Sequence, residues 1–191
     1  MTLGSDIGRI LQQYKGVPGQ ASDHVEQDFD EVSRAADPEE LSDGLNEAFR
    51  SDQTPPFGNM VSQLFSQGDA NQRTGMLNQL LGALGPAVAG SLLGGRSAGG
   101  LGALLGGGAG GGILNSFLNR IGSGEQAQLS PEEVSQLSPE QVQEIASRAE
   151  QENPGIVDQM SRFYAQNPTL IKALGGAALA IALGKMAQRN R

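Results

Sequence analysis

The stretch LSPEEVSQLSPEQVQE, residues 129–144, decides the fold class, because it writes one helix-starting instruction twice in succession. Ser130 and Ser138 each precede a proline, and Glu133 and Gln141 follow three residues after the serines. Proline suits the first position of a helix, where its missing N–H would have had no partner anyway. The serine hydroxyl can accept from the third amide while the Glu or Gln side chain reaches back to the serine amide, which is a capping box. The first start yields a turn or two before Ser138-Pro139 begins again. The second carries Val142, Ile145 and Ala149 as an apolar stripe. An eight-residue repeat is too short for a solenoid unit, so it reads as two helix starts and nothing larger.

The same grammar recurs along the chain, at Asp37-Pro38-Glu39-Glu40, Asn153-Pro154 and Asn167-Pro168. Apolar residues at helical spacing predict helices over 6–14, 22–35, 38–50, 57–67 and 72–84. Ser51 to Pro56 is a break between two of them. No stretch sustains strand alternation. The expectation is an all-α protein of short helices in two parts joined by a glycine-rich connector. The parts are an acidic N-terminal region, 1–84, a connector, 85–112, and a C-terminal region, 113–191.

Composition limits the core and the partners. Hydrophobic residues make up 38% and aromatic residues 4%, with no Trp, so aliphatic side chains must carry the core with a few Phe anchors. A net charge of -8 without a dense basic cluster argues against nucleic acid. The acids lie up to Asp69 and between Glu125 and Asp158, whereas the tail carries Lys172, Lys185, Arg189 and Arg191 and no acid. Such a tail can dock internally, cap a helix or touch an anionic surface. Absence of cysteine excludes disulfides and thiolate metal sites. MTLGSDIGRILQQYKG lacks the basic start and apolar run of a secretory signal, so a cytoplasmic location is expected, with membrane association as the alternative.

Between Gly99 and Gly112 stand nine glycines, which would oppose an isolated helix by roughly 9 kcal/mol. Leucines still punctuate the segment, unlike a polar linker. Gly102, Gly106 and Gly110 recur every four residues, the spacing of a small-residue packing seam. A sticky connector, a packed element and a membrane insert are the three readings. The last helix is expected to begin at Asn167-Pro168 and to be apolar on every side, which marks burial or lipid contact. Gly176, Ala180 and Gly184 form its small-residue face, and Leu170, Leu174 and Ile181 another. Its apolar stretch between Lys172 and Lys185 rises only about 20 Å, short of a membrane span.

Chemistry-bearing motifs are sparse. Carboxylates surround the single histidine in Asp23-His24-Val25-Glu26-Gln27-Asp28, and a solvated acidic helix start accounts for them better than a metal site. The glycine stretch lacks the Gly-Lys-Ser/Thr ending of a phosphate loop. No enzyme activity and no cofactor are expected.

The segments LSPEQVQEIASRAEQENPGIVDQMSRFYAQNP, 137–168, and LIKALGGAALAIALGK, 170–185, resemble the C-terminal part of a group of uncharacterised bacterial proteins. A glycine-rich segment followed by helices, together with the Leu-Ser-Pro-Glu start, is distantly similar to YidB-like bacterial proteins over the last third of the chain. That resemblance implies a small helical fold without an assigned reaction. The long acidic N-terminal region departs from the YidB-like pattern.

The functional expectation is a non-enzymatic structural or interaction protein that self-associates into a homo-oligomer. Its contact residues would be Gly102, Gly106, Gly110, Leu174, Gly176, Ala180, Ile181 and Gly184. The alternative is a peripheral membrane protein whose basic, apolar C-terminal helix engages an anionic surface.

Overall fold

The computed structural model describes residues 3–15, 23–93, 112–113, 115–117, 119–120, 123 and 128–189. The protein is all-α, and no strand occurs among the described residues. The elements are α1 (Leu3–Gln13), α2 (Val25–Ala35), α3 (Pro38–Arg50), α4 (Phe57–Gln67), α5 (Ala70–Leu93), α6 (Pro131–Val134), α7 (Pro139–Glu152), α8 (Ile156–Ala165), α9 (Pro168–Ile171), a 3-10 turn (Lys172–Leu174) and α10 (Gly176–Arg189).

Both serine capping boxes form. Ser130 accepts from the Glu133 amide and Ser138 from the Gln141 amide, while Glu133 and Gln141 return bonds to the serine amides. The other proline starts differ. Pro38 and Pro168 open α3 and α9, but neither Asp37 nor Asn167 caps with its side chain. Asn167 instead donates to the Phe163 carbonyl at 2.9 Å. Asn153 accepts from the Gly155 amide at 3.1 Å, so Asn153-Pro154 makes a turn and α8 begins at Ile156.

Two expected boundaries move furthest. Helix α5 continues through Pro86 to Leu93, so the first residues of the glycine-rich stretch are helical. The last helix does not run from Pro168. Gly175 has φ of 82°, a left-handed conformation that breaks the chain between the 3-10 turn and α10. Leu170 and Leu174 therefore do not share a helix face with Ile181, since the break resets the helical phase.

The chain packs as two compact units: one comprises 1–60 with 157–191, the other 61–156. In the first unit, α10 packs most extensively on α3 and also meets α1 and α2. Its core includes Phe29, Val32, Leu45, Ala48, Ile171, Leu179 and Leu183. The rings of Phe49, Phe57 and Tyr164 add edge and tilted contacts at centroid distances of 5.6 Å. In the second unit, α5 packs on α6 and α7. Met76, Leu77 and Leu80 of α5 and Val142, Ile145, Ala146 and Ala149 of α7 are buried. Asn78 of α5 ties in the start of the repeated motif, accepting from the Leu129 amide at 2.8 Å and donating to its carbonyl at 3.5 Å. Each buried aliphatic side chain contributes about 1.5–3 kcal/mol relative to exposure, so these faces carry most of the stability.

Candidate functional site

Helices α3 and α10 approach at backbone range at Gly44 of α3. A Cβ added there would lie 2.7 Å from the Ala182 carbonyl oxygen and 3.1 Å from Met186 Cγ of α10. Only a residue without a side chain permits that approach. Gly184 makes a related contact, where an added Cβ would sit 3.3 Å from the Tyr14 carbonyl oxygen. Ala180 is fully buried and Ile181 is buried beside it, while Gly176 is half-buried. The face Gly176–Ala180–Gly184 keeps its helical register within α10, and its buried members are covered inside the unit. Leu174 is buried too, but from the 3-10 turn. Gly102, Gly106 and Gly110 lie outside the described residues.

Gly44 is the contact residue that sequence reading missed. A lone glycine within the pattern of α3 costs about 1 kcal/mol against alanine, which is itself a sign of close packing.

Ion pairs ring this contact. Lys172 Nζ lies 2.7 Å from Asp30 Oδ2, and Lys185 Nζ lies 3.0 Å from Glu47 Oε2. Arg189 pairs with Asp43. Three of the four basic tail residues thus meet carboxylates of α2 or α3. All six side chains keep partial solvent access, so each pair is worth about 0–1 kcal/mol. Those of Lys185 and Arg189 orient α10 and that of Lys172 the 3-10 turn, while the apolar burial holds both. On α3, Asn46 donates to Asp158 and accepts from Arg50 Nε at 2.7 Å.

The carboxylates near His24 are engaged otherwise. His24 is exposed, and Asp28 accepts from the Tyr14 hydroxyl at 2.5 Å. Among the described residues, no group of three or more His, Asp or Glu side chains is placed to hold a metal ion. Among the described residues, two groups depart in protonation. Burial pushes the Tyr164 phenol well above the usual tyrosine range. The backbone amide of Glu140, and then the Ser138 hydroxyl, hold the Glu140 carboxyl below the usual carboxylate range.

Among the described residues no helix is long and apolar enough to cross a membrane. In comparisons with known proteins, no family model, curated protein or solved structure matches the chain.

Proposed function

We propose that this chain acts without catalysis, as a structural or interaction protein that self-associates through small-residue helix faces. The observation that carries the reading is the Gly44–Ala182 approach, where two helix backbones meet because the intervening side chain is a hydrogen atom. The chain thus uses such contacts for its own packing. The buried part of the α10 face is occupied within its unit, so association between copies falls to the glycine-rich stretch carrying Gly102, Gly106 and Gly110. The distant similarity of the last third of the chain to YidB-like proteins, which implies a small helical fold without an assigned reaction, is compatible with this reading. A cytoplasmic location belongs to the same reading, which needs no cofactor and no nucleic acid. The peripheral membrane alternative draws less support, because Lys172, Lys185 and Arg189 already face carboxylates.

Sedimentation velocity over a concentration series tests the proposal. The full chain should self-associate, and a Gly102→Leu, Gly106→Leu, Gly110→Leu variant should shift toward monomer with unchanged helical circular dichroism. A wild-type chain that stays monomeric at high concentration overturns the reading, as does a triple variant that associates like wild type.

A further inference from the structure

A groove of about 460 Å³ opens within the first unit, beside the first turns of α3. Glu39, Ser42 and Asp43 line it from α3, Arg162 and Gln166 from α8 and the residue after it, and Arg189 from the end of α10. Its volume lies within the range of small-ligand sites. The charges do not all cancel in pairs. Arg189 is matched with Asp43. Arg162 and Glu39 are left as a cation and a carboxylate that border one groove, and the side chain of neither makes an ion pair or hydrogen bond with a described residue. Ser42 adds a second, independent observation. It is only 6% exposed, it lines the groove, and its hydroxyl has no hydrogen-bond partner among the described residues. The Ser42 oxygen is not sealed in the core: it keeps solvent access and is open to a ligand in the groove.

We propose that this groove binds a small zwitterion, a free amino acid or a short peptide. Its carboxylate lies on Arg162, its ammonium on Glu39, and its polar middle against the Ser42 hydroxyl and the Gln166 amide. The guanidinium fork matches a carboxylate with two parallel hydrogen bonds. A simple anion would meet Arg162 but would also face Glu39, and a simple cation would face the reverse conflict. A zwitterion satisfies both ends. Both charged ends are solvent-exposed, so affinity is modest, with a dissociation constant on the order of a millimolar. The inference does not depend on self-association.

Amide-resolved NMR titration of the full chain tests it, using alanyl-alanine, alanine, acetate, inorganic phosphate and N-acetyl-alanine amide as probes. Alanyl-alanine or alanine should give saturable shifts at Ser42 and Arg162, and the tighter of the two identifies the source of the zwitterion. Arg162→Gln should weaken that binding about tenfold. Glu39→Gln should weaken the zwitterion while sparing acetate. Arg162 and Glu39 are exposed, so both variants should retain the wild-type spectrum elsewhere. The blocked amide should give no saturable shift. Absence of saturable shifts with both zwitterions overturns the proposal. So does undiminished binding in Arg162→Gln, or acetate or phosphate binding as tightly as the zwitterions.

Discussion

The two compact units solve one problem, fixing short helices in a chain poor in aromatic residues, by different means. In the unit made of 1–60 and 157–191, α10 lies against α3 at backbone range, with Gly44 under the Ala182 carbonyl and ion pairs at the rim. In the unit made of 61–156, helix starts are secured by side-chain bonds, locally through the capping boxes at Ser130 and Ser138 and at longer range through the Asn78 bonds to Leu129. The first device depends on shape, and added bulk disturbs it. The second depends on hydrogen bonds, and their removal disturbs it. A short helix can therefore be stabilised from its flank or from its end, and the two choices leave different vulnerabilities.

The largest expected effect breaks the flank contact. Gly44→Ala puts a methyl group into the Ala182 carbonyl, and α10 must shift to admit it. The overpacking outweighs the gain in helix propensity, for a net loss of about 2 kcal/mol. Thermal unfolding followed by circular dichroism should show a fall in Tm of several degrees, and an unchanged Tm would remove the backbone-contact argument. Breaking the end contact should cost less. Ser138→Ala deletes the acceptor for the Gln141 amide and should lose about 1 kcal/mol. Urea titration of this variant should lower the midpoint without altering the slope.

The smallest effect has the opposite sign and sharpens the account of the first unit. The Tyr164 hydroxyl is buried without a hydrogen-bond partner among the described residues, so Tyr164→Phe should gain up to about 1 kcal/mol near neutral pH. Burial raises its folded pKa, so the neutral phenol's contribution is intact below the unfolded value of about 10 and is lost as pH rises above it. The phenylalanine variant should therefore also resist alkaline unfolding better than wild type. A variant less stable at every pH would mean that the hydroxyl is satisfied.

Much of this architecture was legible because it is local. The bounds of α3 and α4 follow from apolar spacing with Pro38 and the break at Ser51–Pro56, and the boxes at Ser130 and Ser138 follow from residues three apart. Other features depend on partners remote in sequence. Asp30, Glu47 and Asp43 look like a solvated acidic surface until the 3-10 turn and α10 are brought against them. Nothing near Gly44 names Ala182 as its neighbour. Gly175 is one of two adjacent glycines in an apolar run, and only its backbone angle shows that the helix stops there. The groove beside Ser42 is equally hidden, since its walls come from segments more than a hundred residues apart.

The interrupted ancestry of the first unit bears on the order of biosynthesis. During translation α3 is made well over a hundred residues before α10, so Leu45 and Ala48 leave the ribosome without their eventual cover. The intervening 61–156 is contiguous and can condense in the meantime, since domains generally fold as units during synthesis. Its early condensation would shorten the effective loop that the late segment must close, lowering the entropic barrier to docking. Until then the apolar face of α3 stays uncovered, and the arrival of 157–191 ends that exposure.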